Sequence, residues 1–500
     1  MGAMSGSGAR RRLLASGLIL SCQVACTDAP RGRPPRAPLP DVNVILISVD
    51  TLRADRVNSY GYAERRITPH MDALARDGIL FENHITSSPW TTPAHLTLFT
   101  SLSPSAHGVV RPFSEQQMQL RQGVVESLPE SRTTMAELLA AQGYRTAAFT
   151  GGSSLDPRLG FGQGFGLYDT SMFKLDDGNM ARLFAWTRAQ RDGGFFLFWH
   201  TFEVHAPYLH PDFVSEVLAP DEALKVRRTT ELIQRDMAAG GTVAHQAVEL
   251  GRIGALRRDV CEALYVGSIR AMDERLGAFL GLLRALDLYD RTLIVLTSDH
   301  GEEFADRSPE AFFNVHGHNL YEEMVRVPLI VKLPGQRHAG ARVREVTRAI
   351  DVLPTVLRAI GLRETGEMEG SPLQPLFEGG ARETTGRTAF VEAISSPIRE
   401  AKAIRTDRHK YVVWSGAEEL SAHGRAHVPD EPVEREFFDL RSDPGEKVNL
   451  LLAPAAPSKG LAGILDRRLR ELAAAGGVPE KARLDPQAVE RLRALGYVGQ

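Results

Sequence analysis

Residues 42–50 read VNVILISVD, and this stretch sets the interpretation of the rest of the chain. The run 42–49 is almost continuously apolar and rich in valine and isoleucine, which is typical of a strand buried on both faces of a parallel sheet. It ends on a carboxylate, Asp50. Because ligands of open α/β sheets bind beyond the carboxyl ends of the strands, Asp50 is a candidate functional residue.

Two later stretches repeat this pattern. Residues 195–205 (FFLFWHTFEVH) begin as an apolar strand and reach His200, and residues 293–298 (LIVLTS) are followed by Asp299 and His300. The helical patterns between the predicted strands cover residues 68–78, 133–143 and most of 215–290. This alternation predicts an α/β fold with a mainly parallel central sheet flanked by helices.

A hydroxyl-rich helix start lies in residues 90–109, which read WTTPAHLTLFTSLSPSAHGV. Proline is tolerated in the first turn of a helix, and no further breaker occurs before Pro104, so we expect a short helix beginning near Pro93. Thr91 then lies at a helix N-terminus, where free N–H groups and the helix dipole favour an anion. Its hydroxyl is placed either to attack a phosphate or sulfate ester or simply to cap the helix.

The predicted strand ends supply a set of metal ligands. Asp50, Asp299 and His300 offer carboxylate and imidazole groups, and the Thr91 oxygen adds a fourth ligand. Such a set suits one divalent cation, Mn²⁺, Ca²⁺, Mg²⁺ or Zn²⁺, which lowers the pKa of the hydroxyl and polarises the substrate. A second cluster of aspartate and histidine is not evident in the sequence, so we expect a single metal.

Composition excludes some functions. The 500 residues are enough for one large and one smaller domain, and the net charge of −3 gives no electrostatic basis for binding nucleic acid. Three cysteines do not build a disulfide framework, and Cys261, alone in the body of the chain, is expected to be a small buried side chain.

The N-terminal segment predicts export. Three arginines (residues 10–12) precede an apolar run at 13–21 that is too short to span a membrane, so residues 1–26 are interpreted as a signal peptide. Cys22 and Cys26 also resemble the lipobox of bacterial lipoproteins, and both interpretations stay open. The proline-rich residues 27–41 are expected to form an extended tether. We therefore expect a protein of the periplasm or cell envelope, soluble or held to the membrane by an N-terminal lipid.

Several stretches together resemble one family. The chain is similar to the sulfatase family within the alkaline phosphatase superfamily, and the similarity runs from residue 42 to about 451. The stretches are VILISVDTLRAD, TPHMDALARDGILFENHIT, TTPAHLTLFTSLSPSAHGV, FWHTFEVHAPY, LTSDHGEEF, NLYEEMVRVPLIVKLPG and EFFDLRSDPGEKVNL. This resemblance implies a large α/β catalytic domain at residues 42–384 and a small C-terminal α+β domain at 385–500, with a short antiparallel sheet and a helix.

The chain departs from the family at the nucleophile. Sulfatases carry Cys or Ser in a C/S-x-P-x-R motif and oxidise it to formylglycine. Alignment on Pro93 places Thr91 at that position and His95 at the arginine. Because threonine cannot become formylglycine, the set Asp50, Thr91, Asp299 and His300 is closer to the threonine-nucleophile branches of the superfamily. Those branches are phosphodiesterases and phosphoglycerol transferases similar to lipoteichoic-acid synthase.

The resemblance also assigns roles to histidines. His205, in HTFEVHAPY, matches a family region where a histidine faces the substrate, and His318, in VHGHNLYEE, lies near a family lysine that binds the ester oxygens. An imidazole at either place can orient the anion or protonate the leaving oxygen. His200 and His316 are either part of the same site or ordinary loop histidines. Glu302 and Glu303 are interpreted as supporting or surface groups.

Three functions remain open from the sequence. The first is an extracytoplasmic, metal-dependent hydrolase of sulfate or phosphate esters, acting on a small ester, a glycan or an envelope polymer, with Thr91 as nucleophile. The second is an enzyme similar to the phosphodiesterases and phosphoglycerol transferases, although no stretch is long enough for a membrane-embedded transferase. The third is a non-catalytic relative that only binds anions, against which the intact set of Asp50, Asp299 and His300 argues.

Overall fold

The computed structural model describes residues 41–111, 123–238, 257–304, 306, 313–364, 367–379, 387–394, 400–415, 434–452, 459–475, 477–486 and 489. These residues all belong to one unit, residues 39–500. The predicted signal peptide (1–26) and nearly all of the predicted tether (27–41) lie outside them, as does part of the predicted helical region 215–290.

The strands alternate with helices along the first two thirds of the chain. The strands are β1 (Asn43–Val49), β2 (Ile79–Ile85), β3 (Val124–Ser127), β4 (Arg145–Phe149), β5 (Leu167–Asp169), β6 (Phe195–Thr201), β7 (Thr292–Thr297), β8 (Glu303–Phe304), β9 (Phe313–Val315), β10 (Arg326–Val327), β11 (Leu329–Lys332), β12 (Ala341–Arg348), β13 (Ala389–Ile394), β14 (Glu400–Arg405), β15 (His409–Ser415), β16 (Glu434–Asp439) and β17 (Glu480–Arg483). The helices are α1 (Pro69–Asp77), α2 (Thr91–Thr100), α3 (Pro104–His107), α4 (Met135–Ala141), α5 (Asp177–Ala189), α6 (Pro220–Ala238), α7 (Arg258–Ala285), α8 (Glu322–Val325), α9 (Val352–Ala359) and α10 (Lys459–Ala475).

The central sheet is mainly parallel, which confirms the predicted fold class. Its strands follow the order β10-β2-β11-β7-β1-β6-β4-β5, and β12 joins the same sheet through β2. The pairs from β7 to β5 are parallel, whereas β11 runs antiparallel to both β7 and β2. The three apolar stretches recognised in the sequence, β1, β6 and β7, are therefore neighbours, with β1 in the middle.

Both faces of this sheet are covered. Ile45, Ile47 and Val49 of β1 belong to the core cluster that includes residues of α1, α5 and α7. Val44 and Leu46 belong to the opposite cluster, which includes residues of α2, α4 and α9. Successive side chains of a strand point to opposite faces, so an uninterrupted apolar strand requires an apolar layer on each side.

A smaller antiparallel sheet follows the central one in sequence, as predicted. It has the strand order β13-β14-β15-β16, and Leu461 and Leu465 of α10 pack against its Ile404, Tyr411 and Phe437. Beyond α10, β17 pairs with β3, whose residues precede α4 in the large α/β part.

Among the described residues, the helices are all too short or too polar to cross a membrane. Even the longest of them, α7, alternates buried apolar positions with charged ones.

Candidate active site

The carboxyl ends of the three central strands bring the predicted ligands together. Asp50 follows β1, His200 is near the end of β6, and Asp299 and His300 follow β7 after a single serine. In the parallel register, Ser48 is paired with His200 on one side and with Thr297 on the other, so these ends lie level with one another. Adjacency of β7, β1 and β6 thus explains why residues about 250 positions apart in sequence share a site.

Asp50, Asp299 and His300 form a candidate metal centre. One ligand atom from each lies within 4.8 Å of the others, and all three residues are buried. Asp50 Oδ1 and Asp299 Oδ2 are buried without a hydrogen-bond partner. Since buried carboxylate oxygens normally have partners, this pair of free oxygens fits a cation held between them.

The electrostatics of the two carboxylates agree with a site for positive charge. Burial, and then the charge of Asp299, raise the pKa of Asp50 well above its ordinary value. Burial also acts on Asp299, but the neighbouring His300, His95 and His200 hold the pKa of that carboxyl below its usual range. A divalent cation removes the repulsion between the two carboxylates, so the residues present suit one.

Thr91 is part of this centre. It is the first residue of α2, is 3% exposed, and its Oγ1 lies 3.3 Å from His300 Nε2. The N-cap is the preceding residue, Trp90, whose side chain makes no capping bond. The hydroxyl of Thr92 donates instead to the carbonyl of Ser154 at 2.8 Å. Of the two threonines before Pro93, the structure therefore brings Thr91, rather than Thr92, to the metal ligands.

His95 lies one turn along α2 from Thr91 and is fully buried. Its Nδ1 is 2.8 Å from the Thr91 carbonyl and 3.6 Å from Asp299 Oδ2, and its Nε2 is 2.8 Å from Ser48 Oγ. Burial lowers the pKa of His95 below its ordinary value. Both ring nitrogens thus contact groups of the protein, which places His95 against the metal ligands; its predicted catalytic role stays a prediction.

His200 supports the centre from the other side of β1. Its Nε2 is 3.1 Å from Asp50 Oδ2, and its Nδ1 accepts a hydrogen bond from the N–H of Gly151 at 3.3 Å. Burial lowers the pKa of His200 well below its ordinary value. A neutral ring that accepts at Nδ1 carries its hydrogen on Nε2, so His200 donates to Asp50 and fixes that carboxylate.

The other two predicted histidines lie in different surroundings. His205 is 7% exposed, and its ring centroid is 5.0 Å from that of His316, which in turn is 4.5 Å from that of His300. Burial lowers the pKa of His205 to about 3. His318 is half-buried, and its Nε2 lies 3.4 Å from Asn319 Nδ2 and 3.8 Å from Glu303 Oε2. The predicted contact of both residues with substrate stays a prediction.

Sequence reasoning missed one charged group that the fold brings to the site, Lys174, and left Glu302 with two interpretations. The ammonium of the half-buried Lys174 donates to the carbonyls of Phe202, Glu203 and His205, and desolvation lowers its pKa to about 8. Nothing in the polar stretch around Lys174 signals this position. Glu302, for which the sequence left a supporting and a surface interpretation open, is completely buried, so it is not a surface group. Its place directly after the DHG stretch was the available signal.

Comparisons with known proteins establish the family. A family model described as Sulfatase matches residues 42–362, and one described as N-sulphoglucosamine sulphohydrolase, C-terminal, matches residues 313–474. Because the first covers well over half of the 500 residues, the chain belongs to the sulfatase family, as the sequence predicted. It is accordingly a hydrolase of sulfuric or phosphoric esters.

Individual relatives share about a quarter or less of their residues with this chain. The chain is 25% identical to the multifunctional alkaline phosphatase superfamily protein PehA of Trinickia caryophylli, over 83% of this chain and 92% of that protein. It is also 25% identical to the ulvan-active sulfatase of Formosa agariphila, over 92% of this chain and 86% of that protein. The crystal structure of the phosphonate monoester hydrolase of Agrobacterium radiobacter superposes with a TM-score of 0.61 at 21% identity, covering 87% and 95% of the two chains. That last likeness concerns the fold alone.

Proposed function

We propose that this chain is an exported, metal-dependent hydrolase that cleaves phosphate or sulfate esters with the Thr91 hydroxyl as nucleophile. The observation that carries the proposal is the position of that hydroxyl, 3.3 Å from His300 Nε2 and at the start of α2. His300 in turn belongs to the cluster with Asp50 and Asp299. A nucleophile, a set of metal ligands and a helix N-terminus therefore meet at one place.

Asp50, Asp299 and His300 would hold the metal, and Thr91 completes the set. When bound, a divalent cation supplies charge stabilisation for the ester oxygens and lowers the pKa of a hydroxyl in contact with it. The remaining chemistry belongs to the protein. His200 Nε2 fixes Asp50 at 3.1 Å, and the N–H groups of His300 and Thr51 donate to Asp299 Oδ1 at 2.9 Å and 3.3 Å, so the ligands need little rearrangement during the reaction.

In the first step Thr91 Oγ1 bonds to the phosphorus or sulfur of the ester, the bond to the alcohol oxygen breaks, and the hydroxyl proton ends on the departing alcohol. The free N–H groups of the first turn of α2 are available to the oxygens of the transferred group. In the second step water displaces the Thr91 oxygen and restores the hydroxyl. His205, in the ring cluster with His316 and His300, and His318, near Asn319, are the candidates for binding the anion and moving the proton.

Thr91 favours phosphoryl over sulfuryl transfer. Water can displace a phosphorylated threonine, whereas a sulfated threonine lacks the hemiacetal through which formylglycine releases sulfate. The arginine of the sulfatase motif is also missing, with His95 buried at its position. We therefore expect phosphoric diesters to be the best substrates. One relative is an ulvan-active sulfatase, which supports a glycan as the alcohol part of the ester. An envelope polymer is the alternative alcohol part.

The test is a comparison of three substrates with the purified, metal-loaded chain. We expect turnover of bis(nitrophenyl) phosphate to exceed that of nitrophenyl phosphate and nitrophenyl sulfate. Preference for nitrophenyl sulfate would overturn the proposed preference for phosphoryl transfer, but the proposal that the chain is an ester hydrolase would stand. Absence of turnover on all three, with metal bound, would favour the non-catalytic anion-binding relative. Transfer to an added alcohol in place of water would favour the relationship to phosphoglycerol transferases.

Location outside the cytoplasm is part of the proposal and rests on the sequence of residues 1–41. If Cys22 or Cys26 carries a lipid, cells that express the Cys22→Ser/Cys26→Ser variant should release the protein from the membrane fraction. If wild type and variant are both found in the soluble extracytoplasmic fraction, the proposed lipid anchor is refuted and the proposed export is retained. Retention of both in the cytoplasm would refute export itself.

A further inference from the structure

A buried chain of polar side chains leads from Tyr208 through Glu302 to His316. The Tyr208 hydroxyl donates to Glu302 Oε2 at 2.9 Å, and Glu302 Oε1 lies 3.1 Å from His316 Nδ1. The Glu302 side chain is fully buried, and that of His316 is 9% exposed. Two directed hydrogen bonds on a buried carboxylate fix its orientation, and through it the orientation of the imidazole.

The imidazole of His316 lies among residues of the active site. Its ring centroid is 4.5 Å from that of His300 with the planes tilted by 31°, and 5.0 Å from that of His205. The third neighbour is Trp90, at 5.5 Å, which immediately precedes Thr91. His316 therefore contacts a proposed metal ligand, a proposed substrate-binding histidine and the residue beside the proposed nucleophile.

The backbone next to His316 is also held closely. A Cβ added at Gly317, whose φ is +87°, would lie 2.0 Å from Trp90 Cε2. Any other residue there would displace the Trp90 ring or the chain, so glycine permits this close approach. The imidazole is thus fixed from one side by Glu302 and from its own backbone by the packing on Trp90.

The chemistry of Glu302 decides which nitrogen of His316 carries the hydrogen. Glu302 Oε2 accepts the Tyr208 hydroxyl, and Oε1 faces His316 Nδ1 at 3.1 Å, so each carboxyl oxygen has one hydrogen-bonding neighbour. Carboxylate oxygens accept hydrogen bonds, so the contact at Oε1 places the hydrogen on His316 Nδ1. In the neutral ring the lone pair is then on Nε2, which points away from Glu302.

We propose that Glu302 is a positioning residue of the active site, which together with Tyr208 holds His316 in the Nδ1–H form and directs Nε2 toward the ester. This assignment rests on the proposed function, because it gives His316 a contact with the reacting group. It goes beyond the site predicted from sequence, in which Glu302 was a supporting or surface group, His316 was left open, and His318 was the residue chosen from its loop.

One test reads the tautomer directly and needs no turnover. The full chain, loaded with Zn²⁺ and labelled with ¹⁵N-histidine, should show His316 with the hydrogen on Nδ1 and a bare Nε2; the His316→Gln spectrum assigns the signal. Glu302→Ala should abolish this preference. A wild-type His316 with its hydrogen on Nε2, or an unchanged preference in Glu302→Ala, overturns the proposal.

The second test is a double-mutant cycle on kcat and KM. Glu302→Ala should lower kcat about 10–100-fold with little change in KM, the range found for residues that orient a catalytic group. In a His316→Ala background the same change should cost less than about 2-fold, because its effect acts through His316. Tyr208→Phe should give a smaller loss, and Glu302→Gln should restore part of the activity. If Glu302→Ala lowers kcat by the same factor in the His316→Ala background as in the wild type, the proposal is overturned.

Asp273→Asn is the matched control. Asp273 is also a fully buried carboxylate, but it accepts hydrogen bonds from the N–H groups of His70 and Met71 at the start of α1 and is not among the proposed metal ligands. This variant should lower the melting temperature while leaving kcat unchanged. If the wild type hydrolyses no ester, the proposed function fails, and the tautomer measurement still decides whether Glu302 sets the form of His316.

Discussion

Two histidines outside the metal centre should make the protein sensitive to acid, and their effect can be calculated. His84 and His107 are both buried, and burial lowers the pKa of His84 to about 4 and that of His107 to about 3. His84 Nδ1 lies 3.1 Å from Thr347 Oγ1, and His107 Nε2 lies 3.2 Å from the Pro93 carbonyl. Both side chains are therefore held in the neutral form in the folded chain.

The sign follows from proton binding. In the unfolded chain each histidine has a pKa of about 6.5, so below that pH the unfolded state takes up protons that the folded state does not. The stabilisation is complete above pH 6.5 and is lost as the pH falls toward the folded values. Below pH 6.5 each histidine lowers the free energy of unfolding by about 1.4 kcal/mol per pH unit. At pH 5 the loss is therefore about 2 kcal/mol for each histidine and about 4 kcal/mol for the pair.

Urea denaturation followed by tryptophan fluorescence at pH 7.5 and pH 5.0 measures this loss. The free energy of unfolding of the His84→Gln/His107→Gln variant should fall by about 4 kcal/mol less than that of the wild type between the two pH values. The variant is expected to be less stable at pH 7.5, since glutamine fills each site imperfectly, so the difference between pH values is the informative quantity. Equal losses in wild type and variant would refute the reasoning.

Two further predictions concern the metal centre and the C-terminal sheet. Added Zn²⁺ or Mn²⁺ should raise the melting temperature of the wild type, by mass action on the folded state, and Asp50→Asn should abolish that rise; an equal rise in both chains would exclude Asp50 as a ligand. The buried ammonium of Lys410 lies 2.9 Å from Glu322 Oε1 and 2.8 Å from Glu446 Oε1. Lys410→Met should lower the free energy of unfolding by about 3–5 kcal/mol, because it removes the cation beside the buried Glu446 carboxylate, whereas Glu322 keeps Arg405 at 3.1 Å. An unchanged urea midpoint would contradict this estimate.

The sequence predicted those elements whose causes are local. β1, β6 and β7 were evident because a strand covered on both faces needs an uninterrupted apolar run. α1 (Pro69–Asp77) occupies the predicted helical stretch 68–78, because proline is tolerated in its first turn and Gly78 is its C-cap. The antiparallel position of β11 between β7 and β2 was not predicted, because a short apolar strand carries no mark of its direction.

The site was predictable only in part for a related reason. Asp50, Asp299 and His300 could be grouped because parallel strands end at one edge of the sheet. Whether a side chain beyond these strand ends contacts the metal ligands depends instead on tertiary packing. The contact of His95 with Ser48, and the hydrogen bonds that join Glu302 to Tyr208, link distant parts of the chain and leave no spacing that could be read in advance.

The central claim is that Thr91 is the nucleophile, and turnover by Thr91→Ala beside Thr92→Ala tests it most directly. Thr92 donates to the Ser154 carbonyl and is the matched control in the adjacent position. We expect Thr91→Ala to keep its metal and its melting temperature while turnover of the best ester falls by a factor on the order of 10³ or more, and Thr92→Ala to lose little. Wild-type turnover by Thr91→Ala would contradict the account and make water the nucleophile.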